Sequence, residues 1–173
     1  MSEPEQEMQK YKELYDYSRE VFFEELSRSK LVDDKASKYI TALSATIGLY
    51  TLFGKWISAG VFPPGESSVR WVCAITLILL FSALFVSLAV SILALKVREL
   101  RKMPLDEETI AYFEKNELIS IYYAIAERTS EAHAVNIAIT NRKVRFLTWA
   151  ERLILLSAIL LAVLLATLGI SHY

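Results

Sequence analysis

Six residues stand out for what their side chains could do. Thr41, Ser44, Gly48, Thr51, Lys55 and Ser58 recur at spacings of three, four, three, four and three through an otherwise apolar stretch. On a helix this spacing places all six on one face and leaves Ile40, Leu43, Ile47, Tyr50 and Phe53 for the other surfaces. Two chemistries fit. Small residues let helices approach closely in lipid, which accounts well for Ser44 and Gly48. Alternatively, several copies could arrange this face around an axis as a wettable pore lining, with Lys55 near the outer mouth. A lysine inside an apolar span is costly and favours the second reading, although its place near the span's end allows it to snorkel. Ser82, Ser87 and Ser91 form a weaker set that reads as ordinary helix packing.

Other chemistry is sparse. No HExxH, GxSxG, Walker or GxGxxG pattern occurs. The two histidines, His133 and His172, are too few for a histidine metal cluster, and Cys73 is the single cysteine. Asp33/Asp34 and Glu107/Glu108 are adjacent pairs, which point about 100° apart on a helix and cannot share a substrate. The expectation is therefore a protein that is not an enzyme and that needs neither metal nor cofactor.

The elements that must position these residues follow from segregation of the composition. The chain has 173 residues, 54% hydrophobic and 23% charged, and the two classes occupy different stretches. Residues 71–95 and 153–170 contain no charge at all. About 20 apolar residues cross about 30 Å of hydrocarbon, so both read as transmembrane helices. Residues 39–62 read as a further span, the most polar, with Lys55 and Trp56 at its interfacial end. The first ten residues hold Glu3, Glu5 and Glu7 and no apolar run, a pattern expected of a chain without a cleavable signal peptide. Basic residues flank the spans unevenly. Lys35, Lys38, Lys96, Arg98, Lys102, Arg142 and Arg145 fall on one side, whereas the loop between the first two spans has only Arg70. The positive-inside rule then puts the N-terminus and the region 96–150 in the cytoplasm and the C-terminus outside.

Outside the spans the pattern is helical. No glycine or proline occurs between residues 5 and 47, and Tyr11, Tyr15, Phe22 and Leu26 share one face. Residues 1–38 are expected as an amphipathic helix that runs into the first span. Pro104 marks a break, with Asp106 as a helix cap. From there Leu118, Ile121, Tyr122, Ile125, Ala132, Val135 and Ile139 make an apolar stripe leading toward the last span. The expected fold is all-α: an integral membrane protein with three transmembrane helices and a helical cytoplasmic bundle. Within that bundle Arg19, Arg28, Lys30 and Arg128, with Asn136 and Asn141, could form a polar pocket for a phosphate-bearing ligand, with Tyr122 and Tyr123 available to stack on a base. Salt bridges to the many glutamates, or contacts to anionic lipid, are the plainer uses of basic residues here.

Two stretches carry a family resemblance. "DDKASKYITAL" at 33–43 is similar to the D-x-K-A segment leading into a first span, here Asp33, Lys35 and Ala36. "NIAITNRKVRFLTWAERLILL" from Asn136 is similar to the helix that enters a last span, here Asn141 and Lys143. Together with the order of parts they resemble the small transmembrane effectors of bacterial anti-phage systems that signal with nucleotides. These comprise the SLATT type, the membrane effectors of Pycsar and CBASS, and the HalB-like effectors of Hailong. SLATT proteins are described as two-span, against three counted here, and no separate nucleotide-binding domain is present. The resemblance implies a homo-oligomer in the bacterial inner membrane, for which a tetramer is the expectation. It would be a pore that depolarises the membrane, gated at its cytoplasmic helices by a nucleotide or oligonucleotide from a partner nucleotidyltransferase or cyclase. The alternative from a different class is a non-conducting membrane anchor whose cytoplasmic bundle recruits a soluble partner.

Overall fold

The computed structural model describes residues 3–52, 67–97, 99–103 and 107–171. Among these the chain forms four helices and no strand: α1 (Glu3–Leu52), α2 (Ser67–Leu95), α3 (Glu107–Lys115) and α4 (Leu118–Ser171). The lengths of α1 and α4, 50 and 54 residues, follow from the absence of glycine and proline over 5–47 and 118–168. Pro4 sits in the first turn of α1, where its missing N–H would have no intrahelical partner in any case.

Among the described residues two helices, not three, are long and apolar enough to cross a membrane: Arg70–Leu95 and Leu118–Leu168. The expected span at 39–62 does not join them. Its described part, residues 39–52, rises only about 21 Å at ~1.5 Å per residue, short of ~30 Å of hydrocarbon. Residues 53–62, with Lys55, Trp56 and Ser58, lie outside the described residues, as do the expected break and cap at Pro104 and Asp106. Of the most apolar 18-residue windows of α2 and α4, 33% and 11% are buried within the chain. The core helix of a water-soluble bundle would be mostly covered. Here Ile78, Leu79, Phe85, Leu155, Ile159 and Leu165 instead present at least half of their surface outward.

The chain divides into two compact units. One comprises Met1–Val32 and Val97–Arg142, the other Asp33–Lys96 and Lys143–Tyr173. Both long helices contribute to each unit, α1 dividing at 32/33 and α4 at 142/143.

In the second unit α2 runs antiparallel to α4, as the pairings Ser87 with Ala150 and Cys73 with Leu164 show. Leu43, Leu80 and Leu84 form the buried centre, wrapped by Tyr39, Ile47, Tyr50, Leu88, Ile154 and Leu161. Small residues allow the approach: Ala83, Ser87, Ser91, Ala94 and Ala150 are all buried. The Ser87 hydroxyl donates to the Ala150 carbonyl at 3.1 Å, and Ser91 returns its own to the Ser87 carbonyl at 2.9 Å. Ser87 and Ser91 thus form a packing seam within the chain, whereas Ser82 is exposed.

In the first unit α1 and α4 run parallel. Tyr11 meets Tyr123 edge to face at 6.1 Å, Tyr15 meets Tyr122 at 5.5 Å, and Phe22, Ile121, Ala126 and Ala132 fill the interior. Leu118 and Val135, assigned to the apolar stripe, are 49% and 41% exposed. A strict stripe overestimates the contact because two straight helices touch along a narrow line. Residues 99–103 lie against α4 without secondary structure of their own, and Asn136 solves their backbone problem. Its Oδ1 accepts the Arg101 N–H at 2.7 Å, and its Nδ2 donates to the Arg101 carbonyl at 3.1 Å. The side-chain amide thus pairs with the backbone as a neighbouring strand would. Thr129 adds a hydroxyl contact to the Met103 sulfur at 3.4 Å.

Asn136→Leu is expected to orphan both backbone groups of Arg101 and to destabilise the first unit by about 2–4 kcal/mol. The measurement is a lower thermal midpoint together with faster exchange of the Arg101 amide hydrogen. An Arg101 amide as protected as in the parent chain would refute the pairing.

Candidate functional site

The outward stripe of α1 begins from its inward face. Leu43 is 4% exposed, and Tyr39, Ile47 and Tyr50 pack around it against α2 and α4. Thr41, Ser44, Gly48 and Thr51 are exposed. A Cβ added at Gly48 would meet nothing within 4 Å. The described part of the stripe therefore packs against none of the described helices of its own chain. The Thr41 and Thr51 hydroxyls donate to the carbonyls four residues back, Ser37 at 3.0 Å and Ile47 at 2.8 Å. This satisfies each donor inside the helix and leaves oxygen lone pairs facing out. Lys55 and Ser58, which would extend the stripe, lie outside the described residues. A shallow groove of about 250 Å³ runs along the inward side, lined by Ala42, Thr46, Leu84, Ile154, Ser157 and Leu161 among others.

A charged cluster sits one to two turns before the stripe. Lys143 is 4% exposed and its ammonium reaches both carboxylate oxygens of Asp33 at 2.8 Å. Glu151 takes an ion pair from Lys35 and a hydrogen bond at 2.8 Å from the Tyr39 hydroxyl. The hydrogen bond from Lys35 holds the Glu151 carboxyl below the usual carboxylate range, with Tyr39 assisting, and the Glu151 partner raises Lys35 above the usual lysine range. The sign follows for each group. The Glu151 contribution is present above the ordinary carboxylate range and fades as pH falls through its lowered value. The Lys35 contribution is present below the ordinary lysine range and fades as pH rises through its raised value. Both side chains are about half exposed, so the pair contributes no more than about 1 kcal/mol in water. On the outer surface nearby, the Arg152 guanidinium lies 5.6 Å from the Trp149 ring.

The six residues expected to bind a ligand are placed differently from one another. Arg28 and Asn141 meet: the guanidinium donates to Asn141 Oδ1 at 3.0 Å while also pairing with Glu25 at 3.3 Å. Asn136 is fully buried and engaged with the Arg101 backbone. Arg19 and Lys30 are exposed on another face of α1, Arg19 lying 5.6 Å from the Phe23 ring, and Arg128 is exposed on α4. Arg28 and Asn141 are thus brought together, and Arg19, Lys30 and Arg128 project outward separately.

Sequence reasoning missed the polar interior of the first unit. Glu25, Ser29 and Thr140 are buried, and Glu25 Oε1, Ser29 Oγ and Thr140 Oγ1 have no hydrogen-bond partner. The signal was available, since Phe22, Glu25, Ser29 and Ala36 continue the face begun by Tyr11 and Tyr15. Tyr39 and Glu151 were missed because their contact joins residues 112 positions apart. No protein-family model matches the chain, and no characterised protein or solved structure shows significant similarity to it.

The Asp33–Lys143 pair is asymmetric, because the Asp33 side chain is 39% exposed and that of Lys143 only 6%. Asp33→Asn leaves a buried ammonium without a counter-charge and is expected to cost about 3–5 kcal/mol. Lys143→Met leaves a carboxylate that water can reach and is expected to cost about 1 kcal/mol, and the double variant recovers most of the Asp33→Asn loss. Thermal melts of the four proteins decide this, and equal losses in the two single variants would refute it.

Proposed function

We propose that this chain is a homo-oligomeric membrane effector whose copies bring the polar stripe of α1 together around a common axis as a conducting path. The observation that carries the reading is the exposure of Thr41, Ser44, Gly48 and Thr51 on a helix whose other side is committed to its own α2 and α4. In a bilayer, a lone chain would turn this stripe toward lipid, where unmatched hydroxyl oxygens gain nothing. Copies that share the stripe give those oxygens water or one another. The exposed apolar surfaces of α2 and α4 serve as the lipid-facing side. The basic residues flanking the spans orient the N-terminus and the 99–142 region toward the cytoplasm.

The proposed role is defensive: opening dissipates the ion gradient of an infected bacterial cell. The resemblance to nucleotide-signalled anti-phage effectors supports it, and two of the residues carrying that resemblance, Asp33 and Lys143, meet as a half-buried ion pair at the foot of the stripe. A nucleotide-type ligand at the cytoplasmic helices would gate the path by binding one packing of those helices more tightly than the other. Arg28, Asn141 and the exposed Arg19, Lys30 and Arg128 are the candidate phosphate partners.

The test is membrane potential in bacteria on induction of the chain, read by a voltage-sensitive dye, with and without a co-expressed nucleotidyltransferase or cyclase. Depolarisation is expected, and Thr51→Leu and Ser44→Leu are expected to abolish it at equal membrane-inserted amounts. An equal ion leak in the leucine variants would overturn the pore. Assembly lost together with conduction would favour the stripe as a contact between copies, as the anchor alternative requires.

A further inference from the structure

The first unit has a groove of about 580 Å³ between α1 and α4. Leu14, Tyr17 and Val21 line it from α1, and Tyr123, Glu127 and Glu131 from α4. Tyr17 and Tyr123 are 67% and 51% exposed, a large aromatic area for a surface in water. Glu127 and Glu131 are four residues apart on one helix, where like charges repel. Neither forms an ion pair among the described residues. The groove therefore combines uncovered aromatic surface with an uncompensated negative charge, the complement of a helix face that carries cations and an apolar side chain.

Such a face exists on the same chain. Met8, Lys12, Arg19, Phe23 and Lys30 are spaced by four, seven, four and seven residues, which keeps them in one stripe of α1. Phe23 is 51% exposed, and the Arg19 guanidinium stands over its ring. This stripe lies on the far side of α1 from Leu14, Tyr17 and Val21, about 160° around the helix at ~100° per residue. The two surfaces are thus free at once on every copy. They also occupy the same length of helix, residues 12–23 against 14–21, and the pairings of Tyr11 with Tyr123 and Tyr15 with Tyr122 bring the α4 side of the groove to that level.

We infer that the acidic aromatic groove receives the Arg19–Phe23 face of a second copy of this chain, in a head-to-tail contact that repeats around a ring. The inference rests on the reading of parallel copies in one membrane. Rotation about the membrane normal brings different faces of neighbours together at equal height, and a knob and a groove at one level on opposite sides of α1 meet that condition. Phe23 enters between Tyr17 and Tyr123, and Arg19 and Lys12 face Glu127 and Glu131. The charges select orientation and partner, and the aromatic contact excludes water.

The experiment is disulfide cross-linking of the full chain in its own membranes, with Phe23→Cys and Tyr123→Cys alone and combined. Cys73 is kept, being buried. Only the combined variant is expected to give a ladder of dimer, trimer and higher species that stops at the subunit number of the ring. Arg19→Glu in that background is expected to abolish the ladder, and adding Glu131→Arg to restore it. Dimers from Phe23→Cys alone would place that face on a two-fold axis and overturn the head-to-tail contact. No cross-link in a chain that still migrates as an oligomer on a native gel would mean assembly through another surface or a different occupant of the groove, and would also overturn it. A monomer throughout would overturn both this contact and the oligomeric reading beneath it.

Discussion

A lysine with 4% exposure is costly to bury unless a carboxylate is held against it, and the second unit is arranged around that requirement. Asp33 must reach α4, and two residues later Lys35 and then Tyr39 reach the same helix at Glu151. Asp33 on one flank and Lys35 and Tyr39 on the other hold the buried Ala36 side of α1 toward α4 and leave little freedom of rotation about its axis. Once that side faces α4, Leu43, Ile47 and Tyr50 follow it into the interior, and Thr41, Ser44, Gly48 and Thr51 turn out. The orientation of the polar stripe is thus a consequence of ion pairs made one to two turns before it.

Ion pairs and amides suit this task better than apolar contacts. Two apolar helices slide past one another at small cost because one leucine packs much like the next. A charged or hydrogen-bonded pair has a single partner at a single height. The first unit uses the same principle with neutral groups, since Asn136 pairs with both backbone groups of Arg101 and holds the 99–103 segment in place. Partial satisfaction carries a cost there, because Glu25 Oε1, Ser29 Oγ and Thr140 Oγ1 are buried without partners among the described residues.

The surfaces divide in the opposite sense from a water-soluble bundle. In the second unit serines and a buried lysine point inward while large apolar residues point outward, and α1 interrupts that apolar exterior with hydroxyls. In the first unit aromatic residues and like-charged glutamates remain uncovered. Both departures concern surfaces that a single copy does not satisfy, which is why assembly is central to the functional reading.

Much of this was legible along the chain. Helix breakers are absent over long stretches, so α1 and α4 had to be long, and apolar runs free of charge had to make α2 and the end of α4. These are properties of consecutive residues, governed by local backbone preference and composition. The outward turn of the stripe and the scattering of the basic residues expected to converge were decided by tertiary packing. The spacing of Thr41, Ser44, Gly48 and Thr51 establishes that they share a face, but which way the face looks depends on Asp33 meeting Lys143 and Tyr39 meeting Glu151, more than a hundred residues away. Periodicity records relative angle around one helix axis, and only contact with a second helix gives that angle a direction.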